Sequence, residues 1–481
     1  MSSKKTLLVP IFGQHWFHLG ALAELIMKNR ENYSRVRLLF MRDGFLLKPH
    51  QIHHHRIFRK FTPAPEQILN EFLLFKGIDS ELIYSHPKRG KESDPIFFET
   101  FDQLRSFENE NMKIGMAISS ELITLSKSAT PKLKKYERII NLAMKTSKQI
   151  TEVLEQETKN YEEKDLEIWI CNGRPFHERM VVEFCRQGKI KHKFFEVILN
   201  EVNGEMRPIL HPTSPHSRLD FQTEMVKFSE NHFDRQRATD WFIDRSKQNI
   251  FTKNQTTIFK RNSNKMLISF FTSSDDELIA VSEEWISPWG DQINCAHNLL
   301  TFFSESETHE IIIRVHPNMS RKSKKDRKRW IDLKKTFPDR VILWNQNIDS
   351  YSLMAQSAAV LVHGSTMGIE SVYSEKPTGL LCHSRYDEII NAKNIFKIED
   401  MANWKENNFE MPLSTKINSE KSLIWGNYLN LAGDRWINLK FKKFIWYGLT
   451  PMLINKKLKP NYAIIFISRS LNYLEYFVRV V

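Results

Sequence analysis

The alternation of apolar and polar positions predicts buried strands separated by helices in the first half of the chain. Short apolar runs stand at 6–12, 36–41, 167–171 and 193–199, with longer polar or amphipathic stretches between them. A glycine-containing loop and a helical pattern separate the first two runs, which is the start of a βαβ unit. The pattern therefore predicts an α/β domain with a mainly parallel sheet.

The second half continues this alternation. Apolar runs predict five strands, at 265–271, 311–315, 341–343, 360–362 and 377–381. Helical patterns lie between these runs, as expected for a doubly wound parallel sheet. The polar, helix-rich stretch 211–264 precedes them, and we interpret it as the approach to a linker. A chain of 481 residues also favours two domains over one core.

We therefore divide the chain into three parts. Residues 1–258 are predicted to form a Rossmann-like N-terminal domain, and residues 259–414 a second Rossmann-like domain that faces it across a cleft. Residues 415–481 are predicted to form C-terminal helices that cross back to the first domain. From 435 to 474 this last part carries eight Lys or Arg residues and no acid, interleaved with aromatic and aliphatic side chains. Two interpretations remain open: 435–481 contacts an anionic bilayer surface, or it packs on the domains with its lysines in solvent.

Composition restricts the location and the partners. Four scattered cysteines without a CxxC pair favour a reducing compartment. No signal-peptide core precedes the first strand, and no run of about 18 apolar residues could span a bilayer. We predict a cytoplasmic protein, and the prediction extends to a peripheral position on the inner face of the membrane. The net charge of +13 indicates an anionic partner. The histidine-rich stretch 50–55 is interpreted as a solvated loop, and no metal site is predicted.

One stretch of the second domain has the pattern of an anion site. The residues from His363 to Glu370 follow an apolar run and predict a strand, a tight Gly/Ser/Thr turn and a helix start. Ser365 or Thr366 can cap that helix, whose free N–H groups and dipole favour an anion. Arg314 and His316 end another predicted strand. Because open α/β sheets bind ligands at the carboxyl ends of their strands, these groups predict a phosphate site.

Other polar residues of the second domain have two interpretations each. Glu370 lies one helical turn beyond Thr366, and it either accepts hydrogen bonds from a ribose or is an exposed first-turn glutamate. The acids at 275–277 either bind Mg²⁺ or a sugar, or belong to a capping box that begins at Ser274. Ser273 and Ser274 remain candidate phosphate contacts.

The first domain offers three candidates for a general base, a group that deprotonates a hydroxyl when burial or neighbours poise its pKa. They are His15, Glu178 and Glu196, and no spacing rule selects among them. Glu196 stands within an apolar strand, where a carboxylate is costly unless it is paired or functional. Asn172 and Arg174 form a tight strand-to-helix turn that either binds an anionic or sugar acceptor or is simply a turn.

The second domain resembles the donor domain of GT-B fold glycosyltransferases of the capsule polysaccharide biosynthesis type, such as bacterial Kdo and sialic acid transferases. The resemblance rests on Arg314–Asn318, Gly364–Glu370 and Glu375–Pro377. It covers about 265–390 well and the first domain thinly. It implies an acceptor domain at 1–258, a nucleotide-sugar donor, with a CMP-sugar favoured, and a glycan or lipid-linked glycan acceptor in surface polysaccharide biosynthesis.

The same resemblance implies roles for individual residues. His316 would contact the donor phosphate as a catalytic group, Ser365 and Thr366 would hold the same phosphate, and Glu370 would lie near the ribose. Arg314, Ser273 and Ser274 complete the predicted donor site. The family's base is an acid or a histidine of the first domain, and we predict His15, with Glu196 as the second candidate. No cofactor and no metal are expected, because GT-B enzymes stabilise the leaving group with a helix dipole and cations.

Two other classes of function remain as alternatives. The first is another enzyme on the same fold, a polyol-phosphate transferase or a nucleotide-sugar epimerase. The second is a non-catalytic protein that binds a membrane or a nucleic acid. The basic run 321–329 suits nucleic acid by charge alone, but no nucleic-acid motif accompanies it. We interpret that run as a solvated helix face and predict no nucleic-acid partner.

Overall fold

A computed structural model describes most of the chain. The described residues are 4–12, 16–41, 64–85, 95–200, 204–248, 257–261, 263–444 and 448–453. His15 and the histidine-rich stretch 50–55 lie outside these ranges, so the predictions made for them remain predictions.

Among the described residues, six strands form a sheet in the first half of the chain. They are Lys5–Ile11 (β1), Tyr33–Met41 (β2), Ser80–Ser85 (β3), Leu166–Cys171 (β4), His192–Leu199 (β5) and Met206–His211 (β6). Their order is β3-β2-β1-β4-β5-β6, and every pair is parallel except β5 with β6. The chain winds outward from β1 to β3 and then returns to the other side of β1, as in a Rossmann fold.

Helices cover both faces of this sheet. The helices that the structure describes up to residue 248 are Trp16–Lys28 (α1), Pro65–Phe75 (α2), Phe101–Arg105 (α3), Ile114–Ser126 (α4), Glu137–Thr158 (α5), Phe176–Gln187 (α6), Arg218–His232 (α7) and Arg235–Gln248 (α8). The α1 and α2 helices pack with Leu7 and Val9 on one face. The α4, α5 and α6 helices pack with Leu8 on the other. Because both faces are buried, the central strands are uninterrupted apolar runs.

The second half of the chain forms a second six-stranded sheet. Its strands are Met266–Phe271 (β7), His309–Arg314 (β8), Val341–Ile342 (β9), Ala359–Val362 (β10), Thr378–Leu380 (β11) and Lys393–Asn394 (β12). The order is β12-β11-β10-β7-β8-β9, and all pairs are parallel. Winding changes direction between β7 and β10. If the strands of the second sheet are numbered from its own first strand and read from the β9 edge, their order is 3-2-1-4-5-6, the same as in the first sheet. The predicted fold class is therefore confirmed.

The helices of the second half connect its strands and then follow them. They are Asp275–Ile279 (α9), Gln292–Ser304 (α10), Lys324–Thr336 (α11), Ser350–Ala355 (α12), Met367–Tyr373 (α13), Asp387–Ile390 (α14), Ile398–Glu406 (α15) and Thr415–Leu431 (α16). The α7 and α8 helices also pack here, although they precede the predicted boundary at 258/259. Trp241 of α8 shares a core with Val360 of β10 and Trp425 of α16. The boundary itself remains a prediction.

After α16 the chain returns to the first domain. Glu24 of α1 accepts hydrogen bonds from the backbone N–H groups of Ile437, Asn438 and Leu439 through one carboxylate oxygen. The Asn438 side-chain amide donates to the other oxygen of Glu24 over 2.9 Å. These contacts tie the start of the basic C-terminal segment to α1.

The helix predicted for the following residues is corrected by the structure. Leu439–Phe444 (β13) and Gly448–Leu453 (β14) pair as antiparallel strands. The sequence Leu-Lys-Phe-Lys-Lys-Phe at 439–444 has a near-alternation of apolar and basic residues, which is typical of a strand. Residues 454–481 lie outside the described ranges. Among the helices that the structure describes, none is long and apolar enough to cross a bilayer.

Candidate active site

A small cavity lies at the carboxyl edge of the second sheet, where the loops after β7, β8 and β10 meet. Its volume is about 60 Å³, and its wall includes Arg245, Phe271, Thr272, Arg314, His316, Pro317, Ser350, Ser365, Thr366 and Met367. The strands β7 and β10 are neighbours whose connections leave in opposite directions, so the cavity lies at a topological switch point, where open α/β sheets bind ligands. Four predicted donor-site residues, Arg314, His316, Ser365 and Thr366, are thus brought together.

The turn after β10 depends on Gly364. Its φ of +68° is in the left-handed region, and a Cβ there would lie 2.5 Å from Leu278 Cδ1. The turn directs Ser365 and Thr366 into the cavity, and the Ser365 hydroxyl accepts from the Met367 N–H over 3.3 Å. Thr366 makes no side-chain cap bond within the described structure, so the predicted capping by Thr366 is not observed. An arginine from outside the predicted site adds positive charge beside this turn.

That arginine is Arg245 of α8, which the sequence analysis missed. Its Nε donates to Glu370 Oε1 over 2.9 Å, and its Nη2 donates to Thr366 Oγ1 over 3.1 Å. The Tyr351 hydroxyl donates to the other oxygen of Glu370. Glu370 is only 4% exposed, so it is not the exposed first-turn glutamate of one interpretation. Its observed contacts hold Arg245 against the cavity, whereas its role as a ribose contact remains a prediction.

His316 and Arg314 reach the cavity from the end of β8. His316 Nδ1 accepts from the Asn318 N–H over 3.1 Å, so the neutral ring carries its proton on Nε2. Arg314 is 2% exposed and donates to the carbonyl of Leu343 over 2.7 Å and to those of Gln346 and Ile348. Burial lowers the pKa of Arg314 to about 10. Arg314 therefore fixes the loop after β9 as well as lining the cavity.

The hydroxyls and acids after β7 differ in their contacts. The backbone N–H and carbonyl of Ser273 pair with the Gln292 amide, while the Ser273 hydroxyl has no partner among the described residues. Ser274 precedes α9 without a side-chain cap bond in the described structure, so the predicted capping box is not formed there. Asp276 pairs with Lys322 at 2.8 Å. Within the described ranges, His, Cys, Asp and Glu residues form no group of three that could hold a metal ion.

A second polar cluster lies at the first sheet. Asn172 follows β4 with φ of 60°, and Gly173 follows it with φ of 80°. The Asn172 amide Nδ2 donates to Glu196 Oε1 of β5, and its Oδ1 accepts from the Arg174 N–H over 3.0 Å. A Cβ at Gly173 would lie 2.5 Å from Phe194 Cε1. The predicted Asn172, Arg174 and Glu196 are thus neighbours around one tight turn.

Two histidines that the sequence analysis missed complete this cluster. His211 Nε2 lies 4.0 Å from Glu196 Oε2, and His216 Nε2 lies 3.9 Å from Glu196 Oε1. Burial raises the pKa of Glu196, although His211, the Asn172 amide and nearby arginines act in the opposite direction. Glu178, the other acidic candidate, lies in the first turn of α6 and is buried. Of the two acids, Glu196 therefore has the environment expected of a base poised by its neighbours.

A larger cavity of about 780 Å³ adjoins this cluster. Its wall includes Gly173 and His216 of the first half of the chain and the segment 281–284 of the second. Arg179, also in the wall, donates to the carbonyl of Val281. Arg105 donates to the carbonyls of Ile279 and Ser282, each over 3.1 Å. Arginines of the first half thus hold the end of α9 and the residues that follow it. The α9 helix itself begins beside the smaller cavity.

The basic run 321–329 is partly neutralised. Lys322 pairs with Asp276, and Arg329 pairs with Asp291 at 2.7 Å. The absence of a nucleic-acid partner nevertheless remains a prediction.

Several solved structures are similar to this chain. Two are β-Kdo transferase structures of KpsC from Thermosulfurimonas dismutans, a 2,7 and a 2,4 transferase, each 14% identical. The first match covers 66% of this chain and 88% of that chain with a TM-score of 0.31, and the second covers 63% and 86% with a TM-score of 0.37. HepE from Anabaena, in complex with UDP and glucose, is 11% identical over 89% of this chain and 95% of that chain, with a TM-score of 0.27.

Comparison with known sequences identifies a family for one part of the chain. No curated protein matches the chain. Residues 235–389 match the family model described as capsule polysaccharide biosynthesis protein. The matched range contains both predicted phosphate motifs, at 314–318 and 364–370, and also Arg245. The resemblance stated from the motifs is confirmed over this range.

Proposed function

We propose that this chain, which matches the capsule polysaccharide biosynthesis family model over residues 235–389, is a glycosyltransferase that uses a nucleotide-activated sugar. The acceptor is a polysaccharide or a glycolipid, and a CMP-sugar is the favoured donor. The family match supports a glycosyltransferase of capsule biosynthesis, and the finer assignments depend on the two cavities.

The observation that carries the proposal is the position of Arg245 at the smaller cavity. Arg245, His316, Ser365 and Thr366 all border that cavity, and the Arg245 guanidinium donates to the Thr366 hydroxyl. When a glycosyl bond to a nucleotide breaks, negative charge develops on the phosphate oxygen that leaves. Preorganised donors in a site with little water stabilise such charge more strongly than water does. Glu370 and Thr366 hold the guanidinium in place, so little reorganisation is needed during the reaction.

The acceptor side of the proposal is the larger cavity. It is lined by both halves of the chain and adjoins the turn at 172–174 and Glu196. A carboxylate can take the proton of an acceptor hydroxyl if its pKa is raised towards neutrality, and burial acts in that direction on Glu196. We assign Glu196 as the base, with His15 as the alternative outside the described ranges. Asn172 and Arg174 are assigned to the acceptor.

Three further assignments belong to this proposal. Transfer needs no metal or other cofactor, because Arg245 and His316 supply the stabilisation that a cation would give. The protein acts in the cytoplasm, on the inner face of the membrane. The segment 435–481 supplies the membrane contact through its basic and aromatic residues.

Nucleotide binding tests the proposal. Thermal unfolding is followed with CMP, CDP, UDP, GDP and their sugar derivatives, since a ligand that binds only the folded state raises the midpoint. We expect one nucleotide family to raise it, and Arg245→Ala and His316→Ala to abolish the rise. Arg235→Ala is the matched control, because Arg235 lies on the same helix but pairs with the exposed Glu420. A folded protein that no nucleotide stabilises would overturn the donor assignment.

Product analysis separates this activity from the alternatives on the same fold. Incubation with the nucleotide sugar that binds, together with capsule oligosaccharides, should lengthen the oligosaccharide by one sugar and release the nucleotide. An isomerised nucleotide sugar without release would indicate an epimerase. A product that gains a polyol phosphate from a nucleotide-activated polyol would indicate the other enzyme.

A further inference from the structure

Consecutive hydrogen bonds join four side chains in a series that begins in the second half of the chain and ends at Glu196. Arg385, which follows β11, has Nη2 3.2 Å from His216 Nδ1. His216 Nε2 is 2.9 Å from Asn172 Oδ1, and Asn172 Nδ2 donates to Glu196 Oε1. We call this series the Arg385–Glu196 chain.

Every bond of the Arg385–Glu196 chain has a defined direction. A guanidinium only donates, so His216 Nδ1 must accept and the neutral ring carries its proton on Nε2. Nε2–H therefore donates to Asn172 Oδ1. The same oxygen accepts from the Arg174 N–H, which orients the Asn172 amide so that its NH₂ group meets Glu196. Burial, reinforced by Arg385, lowers the pKa of His216 and keeps its ring neutral. All four groups are thus compatible with one arrangement of protons.

Contacts from both halves of the chain fix the middle of this series. The Arg385 guanidinium lies 5.3 Å from the ring centre of Phe221 on α7, which suits a cation–π contact. Trp285, which follows α9, donates from Nε1 to the carbonyl of His216 over 3.4 Å. Arg385 and Trp285 belong to the half that carries the smaller cavity, whereas Asn172 and Glu196 belong to the first sheet. The hydrogen bonds can form only while the two halves have this relative placement.

We propose that Arg385 and His216 are positioning residues that orient the Glu196 carboxylate, through Asn172, across the boundary between the two halves. This proposal rests on the proposed function, in which Glu196 is the base. In the transfer step the bond from the sugar's anomeric carbon to the nucleotide phosphate oxygen breaks, and its electron pair leaves with the phosphate. A bond from that carbon to the acceptor oxygen forms, and the acceptor's proton passes to the Glu196 carboxylate. The base is thus set for this step when the donor-binding half is in place.

The charge of Arg385 has a predictable effect on Glu196. Titratable or charged groups that face Glu196 come from several elements: Cys171 of β4, Arg174 of the following turn, His211 of β6, His216 of the loop after it, Arg385 after β11 and Tyr428 of α16. Arg385 favours the carboxylate, and so does the Asn172 amide. Without the Arg385 charge, the pKa of Glu196 must rise further. A base acts only when it is deprotonated. The rise of kcat/KM with pH should therefore occur at a higher pH in the variant than in the unaltered protein.

The pH profile of kcat/KM tests this proposal on the full chain. Arg385→Met removes the charge and the donor, and we expect the acid limb to move up by about one pH unit. Arg385→Lys restores the charge and should return the limb most of the way. Arg218→Met is the matched control, because Arg218 of α7 also joins the second half, through Asp387 at 2.8 Å and Glu388 at 3.0 Å, outside the Arg385–Glu196 chain. An unmoved limb in Arg385→Met, or an equal movement in Arg218→Met, overturns the proposal.

A second measurement is independent of turnover. Histidine-selective ¹⁵N NMR, with His216 identified by its loss in His216→Gln, reports which ring nitrogen carries the proton. We expect a neutral Nε2–H ring near neutral pH and a mixture of tautomers in Arg385→Met. An Nδ1–H or doubly protonated ring in the unaltered protein overturns the proposal even if transfer occurs. If the Nε2–H ring is found but no nucleotide sugar is consumed, the proposed function is wrong although the hydrogen-bond series exists. Arg385 then has no catalytic base to position, and the proposal fails with the proposed function.

Discussion

Arg245 and Glu370 form a buried ion pair, with Nε 2.9 Å from Oε1, although 125 positions separate them in the chain. The pair joins α8, which lies before the second sheet in sequence, to α13, which follows the central strand β10. It is also the contact that places a positive charge beside the smaller cavity. The stability of the second half and its proposed ability to bind a phosphate therefore depend on the same two side chains.

Glu370→Gln should destabilise the protein strongly. The substitution keeps the shape of the side chain but removes the negative charge that faces the buried Arg245 guanidinium at 2.9 Å, and breaking a buried ion pair in this way costs about 3–5 kcal/mol. Urea denaturation measures the loss in the free energy of unfolding. Glu420→Gln is the matched control, because it breaks the exposed pair with Arg235 on the same helix and should cost no more than about 1 kcal/mol. Equal losses in the two variants would contradict the structural role assigned to Glu370.

Gly364→Ala should damage both stability and nucleotide binding. The new Cβ would meet Leu278 Cδ1 at 2.5 Å in a backbone with φ of +68°, and relief of that contact would move Ser365 and Thr366. Gly77→Ala provides the comparison, because Gly77 has φ of +77° and a Cβ added there would have no described atom within 4 Å. Gly77→Ala should cost only the backbone strain, about 1–2 kcal/mol, and should leave the nucleotide-induced rise in the unfolding midpoint intact. A similar cost in both, with nucleotide binding retained, would show that the turn tolerates a side chain.

Local sequence patterns were sufficient for the fold and for part of the candidate site. Short apolar runs predicted nine of the twelve strands described in the two sheets, but not β3, β6 or β12. Residues that follow predicted strands, such as His316 and Ser365, do meet at one edge. Arg245 and Arg385 could not be predicted in this way, because their partners are 125 and 169 positions away in sequence. His216 stood in a polar stretch interpreted as the approach to a linker. The alternation at 439–444 was available in the sequence but was missed, because charge suggested a solvated helix there.

His363 should make the protein less stable in acid. It is 2% exposed, and burial lowers its pKa from 6.5 to about 4. Between these values the unfolded chain binds a proton at this residue and the folded chain does not, so stability falls as the pH drops from about 6.5 to about 4. The loss from this group amounts to about 3 kcal/mol and is absent above pH 6.5. The difference between the unfolding free energies of the unaltered protein and His363→Gln should shrink over this range, and parallel pH curves would contradict the assignment.

Glu24→Ala should release the segment that follows α16. One carboxylate oxygen accepts from the N–H groups of residues 437–439, and its removal leaves three donors of a partly buried segment without that acceptor. Each lost bond to a charged group is worth about 1.5–3 kcal/mol, so amide hydrogen exchange at 437–439 should accelerate at least about tenfold. Glu31→Ala is the control, because Glu31 is 77% exposed in its pair with Arg30. Unchanged exchange in Glu24→Ala would mean that other contacts hold the segment.

The basic C-terminal segment can be tested for membrane contact without deleting the strands that follow α16. Replacing Lys456, Lys457 and Lys459 by Gln removes three positive charges, each worth about 1 kcal/mol near an anionic bilayer. Binding to phosphatidylserine-containing vesicles, measured by sedimentation, should fall about a hundredfold and should weaken with added salt. The matched control makes an equal change of charge elsewhere, on α11, by replacing Lys324, Lys325 and Lys328 with Gln. This variant should leave vesicle binding nearly unchanged. Both triple variants should keep the nucleotide-induced rise in the unfolding midpoint, because the three α11 lysines do not border the smaller cavity and the proposed function gives the three C-terminal lysines no part in donor binding. Equal losses in both variants would indicate that net charge, not the C-terminal segment, governs the contact. No loss in either would favour the other interpretation, in which this segment packs on the domains with its lysines in solvent.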